Sequence, residues 1–334
     1  MPDQIVKPME LVCPAGTPAA LRTAVDAGAD TVYCGFRNET NARNFPGLNF
    51  SLKELQRGIQ YASDHASNVL VAINTFAQAG KTDLWKKSID DVAQSGAHAV
   101  ILADFGMLDY AARTHPDLRL HLSVQAAAAN ADMVNYYASE FGVKRVVLPR
   151  VLTVQEISTI NAEISCETEV FIFGGLCVMA EGRCALSSYC TGKSPNMNGV
   201  CSPPGDVSYE EHSDHLESSL SGITINQYPK GEAAAYPTLC KGRFESDGVT
   251  GYVFEDPVSL NAAHLLPALQ KAGVTALKIE GRQRGKAYMA QVVSSFRKAV
   301  DALASGENVP LENLLAPLTE GQKSTKGSYQ KTWR

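Results

Sequence analysis

Through its first 175 residues the chain alternates between two patterns of apolar positions. Short runs that are apolar almost throughout, Leu11–Pro14, Thr31–Phe36, Val69–Phe76, Ala99–Phe105, Leu118–Val124, Arg145–Leu148 and Val170–Phe173, are separated by amphipathic stretches. Runs without in–out alternation are what strands buried on both faces of a parallel sheet require. In the intervening stretches the apolar residues fall at helical spacing. They predict helices over Thr17–Ala27, stopped by Gly28; Leu52–Ala62, with Ser51 as N-cap; Leu84–Ala93, ending near Gly96; Asp132–Phe141, stopped by Gly142; and Val154–Ile160, opening after Thr153. An eighth run, Ala276–Ile279, is followed by a helical pattern over Ala287–Ala304. Eight strands with attendant helices define an α/β fold of the (β/α)8, TIM-barrel-like kind. A doubly wound open sheet is the competing arrangement. The absence of a GxGxxG phosphate loop after the first strand counts against it.

The alternation breaks between Gly175 and Gly273, in a segment rich in Gly, Pro, Ser and Tyr. A helix-like piece, Ser259–Ala272, leads from it into the eighth strand. The expected organisation is therefore barrel strands one to seven in residues 1–175, a long insertion after strand seven in 176–273, the last strand and helix in 274–304, and a tail without clear period in 305–334. A loop after strand seven opens on the C-terminal face, where barrels build their sites.

The insertion carries five of the chain's eight cysteines within 64 residues, and four of them stand out as candidate ligands: Cys177 and Cys184 seven apart, Cys201 seventeen further on and Cys240 thirty-nine beyond that. No CxxC knuckle of the kind zinc ribbons use is present. Four thiolates on irregular loops suit a cubane iron–sulfur cluster, whose corners accept widely spaced ligands. Zinc and unligated thiols stay open at this point. Cys13 and Cys34 fall in expected strands and read as small buried hydrophobes, and Cys166 as structural. Cys190, six residues after Cys184, either replaces one of the four or stands by.

Composition narrows the choice of partners. The formal net charge of −5 over 334 residues, with no long basic run, weakens a reading in which the chain holds nucleic acid by itself. No apolar run approaches the ~20 residues needed to span a bilayer. The stretch Met1–Glu10 is charged and carries no apolar signal segment, so cytoplasmic residence is expected. In a reducing compartment, clustered cysteines point to metal ligation or thiol chemistry before disulfides.

Four stretches resemble the collagenase-like peptidase family: Met9–Gly16 (MELVCPAG), Asn41–Phe45 (NARNF), Gly182-Arg183-Cys184, and Lys278–Arg282 (KIEGR). The resemblance covers nearly the whole chain. Longer pieces, Thr40–Phe50 (TNARNFPGLNF), Leu148-Pro149-Arg150, Leu176–Cys184, Ser194-Pro195-Asn196 and Tyr236–Arg243 (YPTLCKGR), are similar to a branch of that family that serves ubiquinone biosynthesis. The resemblance implies a [4Fe–4S] cluster on Cys177, Cys184, Cys201 and Cys240, with Cys190 outside the ligand set. It also implies a heterodimer with a related, UbiV-like cluster protein, contact with further ubiquinone-biosynthesis proteins, and hydroxylation of a prenylated phenol ring without oxygen. An organic donor such as prephenate would supply the hydroxyl. Members that hydroxylate RNA bases, and a role as a cluster carrier without catalysis, are the alternatives.

Such chemistry needs an anion site beside the cluster. The candidates are Arg43 after strand two, Arg150 at the end of strand six and Arg282 just past strand eight, each of which could instead form a structural ion pair. Asn74 and Gln125, at the ends of strands three and five, could hydrogen-bond a ligand, and Glu280 could act as a base or pair with Arg282. His98 and His121 read as packed or surface residues, and His212 and His215 as part of a solvated acidic loop, Glu210–Glu217. No Ser/His/Asp order and no HExxH motif appears, which counts against proteolysis by a familiar mechanism.

Overall fold

The computed structural model describes residues 9–307, 315–319 and 324–330. Seven parallel strands follow one another around a barrel: β1 (Glu10–Pro14), β2 (Thr31–Gly35), β3 (Asn68–Ile73), β4 (Ala99–Leu102), β5 (Leu120–Leu122), β6 (Arg145–Val147) and β7 (Glu167–Gly175). In the segment that follows, β8 (Val207–Glu211), β9 (His215–Leu220) and β10 (Ile223–Pro229) form an antiparallel sheet, and β11 (Arg243–Ser246) pairs with β12 (Val249–Tyr252). β13 (Ser259–Asn261) returns to run antiparallel to the end of β7. β14 (Ala276–Ile279) pairs in parallel with both β7 and β1 and closes the eight-stranded barrel. A short β15 (Ser324–Thr325) pairs with β13.

Helices α1 (Pro18–Asp26), α2 (Leu52–Asp64), α3 (Thr82–Ser95), α4 (Phe105–Thr114), α5 (Ala131–Phe141) and α6 (Val154–Glu163) follow β1 to β6 in turn. α7 (Leu186–Thr191), α8 (Pro195–Asn198) and α9 (Leu266–Lys271) lie between β7 and β14, and α10 (Lys286–Ala304) closes the outer ring. The fold is thus the (β/α)8 arrangement expected from the apolar runs. The local signals act as anticipated. Thr17 caps α1, and Ser51 with Glu54 and Thr153 with Glu156 form capping boxes. Gly96 and Gly142 take the left-handed conformation that ends α3 and α5.

Three expectations need correction. The run Ala99–Phe105 is strand only to Leu102, because Asp104 caps a helix, α4, by accepting from the Met107 amide. Ser259–Ala272 is not one helix. Its first three residues pair with Gly175, Gly174 and Phe173 of β7, and only Leu266–Lys271 is α-helical. The acidic stretch Glu210–Glu217 is largely solvated as expected but is a hairpin between β8 and β9, closed by the His212 amide on the His215 carbonyl, and not a loop.

The main core lies between barrel and helices, where Leu11, Leu55, Trp85, Phe173 and Phe296 are fully buried. Each such burial contributes about 1.5–3 kcal/mol. Inside the barrel a smaller cluster of Val12, Leu70, Ala99, Ile101 and Ala276 packs beneath Tyr33. Of the expected tail, 308–314, 320–323 and 331–334 lie outside the described residues, as do residues 1–8 of the charged N-terminal stretch. The described part docks on the barrel: the Tyr329 hydroxyl donates to the Phe171 carbonyl at 2.5 Å, and Ser328 donates to that of Arg150. Among the described residues no helix is long and apolar enough to cross a membrane.

Candidate active site at the barrel mouth

A cavity of about 130 Å³ opens at the C-terminal ends of the strands. All ten residues singled out from the sequence line it: Arg43, Asn74, Gln125, Arg150, Glu280, Arg282, Cys177, Cys184, Cys201 and Cys240. Their positions follow from the fold, since each belongs either to the residues just past a barrel strand or to the segment after β7. Asn74, one residue beyond β3, accepts from the Ala42 amide at 3.0 Å and so ties down the loop that bears Arg43. The Arg150 guanidinium lies over the Phe171 ring, 3.9 Å from its centre. It donates to Glu181 at 2.7 Å and to the Gly175 carbonyl.

The four cysteines arrive on separate pieces of chain. Cys177 follows β7 directly. Cys184 is held by Asn196, whose side-chain amide donates to its carbonyl at 3.1 Å. Cys201 comes after α8, and Cys240 sits in a 3-10 turn, Leu239–Lys241, whose Lys241 carbonyl accepts from Asn226 at 3.3 Å. The turn between Cys177 and Cys184 depends on Gly182. Its φ is +77°, and a Cβ there would overlap the Gln125 carbonyl oxygen, so only glycine lets this loop lie on the β5 side of the mouth.

The charges are unevenly matched. Glu280 faces Arg43 (Oε1 to Nε, 3.5 Å) and accepts from the Gly175 amide, so its partner is Arg43 and not Arg282. Burial pushes the Glu280 carboxyl up, but the Arg43, Arg150 and Arg282 guanidiniums outweigh it and hold it below the usual range. Arg282 donates to Asn41 at 2.8 Å and lies 5.4 Å from the Tyr33 ring centre. Among the described residues no carboxylate is within 4 Å of it, and burial brings its pKa down to about 10. Arg282 Nε, Gln125 Oε1 and Glu181 Oε2 are buried without hydrogen-bond partners. Polar atoms of this kind, gathered on one cavity, are open to hydrogen bonds from a ligand's polar groups.

Burial pushes the Cys177 thiol up to about 12, with Glu181 adding to the effect and Arg150 opposing it, and raises Cys240 to about 11. A bound metal would have to displace those protons. A single zinc, with Zn–S near 2.3 Å, needs sulfurs about 3.8 Å apart. Among the described residues no three cysteine sulfurs lie mutually within 4.8 Å. Four thiols spread around one cavity, without a histidine among them, fit a polynuclear iron–sulfur group better than a mononuclear site. Cys190, in α7, is not among the cavity residues; Cys13 and Cys34 are buried and Cys166 is partly exposed.

Sequence reasoning passed over Lys278, Tyr33 and Glu181. Lys278 sits within β14 and reaches the cavity floor, 2.5 Å from Glu169 and 3.8 Å from the Tyr33 ring centre. A lysine inside an otherwise apolar strand was the available signal. Glu181 lies between two of the cysteines and is 4% exposed. His121 is buried in the barrel wall, and His212 and His215 lie far along the hairpin, outside the cavity lining.

Residues 16–330 match the family described as Peptidase family U32, and the chain belongs to that family. It is 31% identical over 332 residues to "tRNA hydroxylation protein P" of Escherichia coli (strain K12), an alignment covering 93% of this chain and 72% of that protein. It is 29% identical to "tRNA hydroxylation protein P1" of Bacillus subtilis (strain 168), covering 92% and 67%. To the "23S rRNA 5-hydroxycytidine C2501 synthase" of Escherichia coli (strain K12) it is 28% identical, over 93% of this chain and 43% of that protein.

Proposed function

We propose that this chain is the iron–sulfur subunit of an oxygen-independent hydroxylase that acts on a prenylated phenol ring in ubiquinone biosynthesis. In this reading it is a counterpart of UbiU, working as a heterodimer with a UbiV-like cluster protein. The observation that carries the reading is the convergence of four cysteines and three arginines on one cavity at the barrel mouth. Relatives named for RNA hydroxylation support the reaction class. The long motif matches around Cys184, Cys201 and Cys240 support the ring substrate.

Cys177, Cys184, Cys201 and Cys240 would hold a [4Fe–4S] cluster, which when bound supplies one-electron chemistry. The chain's own residues supply the binding. Arg282, buried and without a carboxylate partner among the described residues, offers a guanidinium fork to a carboxylate of an organic oxygen donor such as prephenate. Gln125 and Glu181 present unmatched oxygens that accept from donor hydroxyls. Arg43 and Glu280 hold each other in place and keep the wall rigid. Arg150, over the Phe171 ring and bonded to Glu181, forms the inner side of the wall.

The surface is consistent with a partner on the insertion side. Of the ten large hydrophobic side chains exposed among the described residues, eight lie in 176–273, among them Val249, Val253 and Phe254.

A second reading, hydroxylation of an RNA base, is favoured by the names of the relatives. The acidic balance of −5 speaks against it. One experiment separates them: the anaerobically reconstituted pair is incubated with prephenate and either a prenylated phenol or transfer RNA. Hydroxylated phenol with unmodified RNA supports the first reading, and the reverse outcome replaces it with the second.

A further inference from the structure

We propose that the tip of the β8–β9 hairpin binds one divalent transition-metal ion of the zinc type through His212, His215 and Glu217. The site lies outside the cavity that the cysteines line and does not depend on the hydroxylase reading.

The register of the hairpin brings the three residues together. His212 and His215 flank a two-residue turn, Ser213-Asp214, and the His212 amide donates to the His215 carbonyl at 2.8 Å. They are therefore a cross-strand pair with both side chains on one face. Glu217 stands two residues beyond His215 on β9 and shares that face. The two imidazole rings are 4.5 Å apart between centres and 16° from parallel. One ligand atom from each of the three residues lies within 4.8 Å of the other two. Nitrogen and oxygen ligands about 2.1 Å from a tetrahedral zinc stand about 3.4 Å apart. Small rotations of three side chains at a solvated hairpin tip close that difference.

The groups behind the ligands are those a metal site uses. His215 Nδ1 is bonded to Asp214 Oδ1 at 2.8 Å, which leaves Nε2 for the ion. The Glu217 carboxylate accepts from the Thr224 hydroxyl at 3.0 Å on one oxygen and from the Gln227 amide at 3.3 Å on the other. Each oxygen keeps a lone pair. A carboxylate on the far nitrogen of a ligating histidine, and hydrogen bonds behind a ligating carboxylate, orient such ligands and are costly to lose.

The charge of the hairpin points the same way. Glu210 pairs directly with Glu217 across β8 and β9. Like charges in that position are destabilising, and residues 194–229 contain no lysine or arginine to offset them. A dication from solution does so. Two imidazoles with a carboxylate select a transition metal over magnesium or calcium, which take oxygen ligands. The fourth position is open to water or to Glu210.

The test uses the untagged full chain, cluster-reconstituted and anaerobic, dialysed to equilibrium against buffered zinc. Iron and zinc are counted, and X-ray absorption at the zinc edge reads the neighbours of the ion. The expected result is about one zinc per chain in addition to the iron, with nitrogen and oxygen neighbours. His215→Ala and Glu217→Gln should each weaken zinc binding about tenfold or more and leave iron per chain unchanged. Asp214→Asn keeps all three ligands and should weaken zinc about tenfold. Absence of zinc binding, zinc whose neighbours are sulfur alone, or an affinity indifferent to His215→Ala and Glu217→Gln overturns the site.

Discussion

At the N-terminal end of the barrel Arg145 is 5% exposed, and at the C-terminal end Arg282 is 6% exposed, yet their surroundings are opposite. Arg145 is enclosed by Glu10 at 2.5 Å, Glu167 at 2.6 Å and Glu169 at 3.3 Å, and Lys278 completes the set by pairing with Glu169. Burial works against the charged guanidinium, but those carboxylates outweigh it and raise its pKa above the ordinary value. Arg282 has no such ring among the described residues, and burial lowers it to about 10. Removing a charge from water costs several kcal/mol, which a close counter-charge must offset. The lower network offsets that cost within itself and reads as scaffold. The upper cation leaves it unmet until an anion arrives, and reads as a binding group.

Substitutions at the two ends should therefore differ in kind. The largest effect falls at the bottom. Arg145→Met removes the cation shared by three carboxylates, leaving Glu10 without an ion pair among the described residues while Glu167 keeps Arg119 and Glu169 keeps Lys278, and is expected to lower the unfolding free energy by about 3–5 kcal/mol in a denaturant titration. A loss under 1 kcal/mol would erase the contrast.

Next in size, Gly182→Ala forces a side chain into a positive-φ position against the Gln125 backbone. It should cost about 1–3 kcal/mol and lower the iron recovered per chain, because the displaced turn joins Cys177 to Cys184. Full iron with unchanged stability would mean that the loop is not built around this glycine.

A smaller, pH-dependent effect is carried by the lower network. Burial, then Arg145 and Arg119, hold His121 well below its ordinary 6.5. The unfolded chain therefore takes up a proton below pH 6.5 that the folded chain refuses, and stability declines as pH drops from that value. For Glu10 and Glu167 burial raises the pKa, but Arg145 outweighs it and sets both below their ordinary 4.5. Their contribution is complete above 4.5 and is lost as pH falls through the lower folded values. Unfolding free energy should thus fall in two stages, the first flattened in His121→Gln. A single stage at acid pH, identical in the variant, contradicts the assignment.

The smallest stability change is expected at the top. Arg282→Met should leave stability unchanged or slightly higher, since no carboxylate is orphaned, while prephenate binding is lost. A cost comparable to that of Arg145→Met would show that Arg282 is scaffold too.

Much of this contrast was legible in the sequence, for a physical reason. Barrel strands are short and apolar, so residues such as Asn74, Arg150 and Arg282, just past their ends, fall at one mouth whatever the details of packing. Loop-borne cysteines after strand seven open on the same face. The lower network was not legible. Glu10 and Arg145 stand 135 positions apart, and only closure of the barrel brings them to 2.5 Å. Helix α4 was hidden because Phe105, apolar though 52% exposed, prolongs the run that ends β4. Lys278 was absorbed into an apolar strand, and the placing of Ala233–Tyr236 beside Cys240 is one that no periodicity records.

The account turns on what the four thiols hold, and anaerobic iron and sulfide analysis with Mössbauer spectroscopy reads that directly. The expectation is about four irons and four sulfides per chain, lost when Cys177, Cys184, Cys201 or Cys240 is changed to alanine and kept in Cys190→Ala. Protein carrying zinc alone, or iron indifferent to all four substitutions, would contradict it.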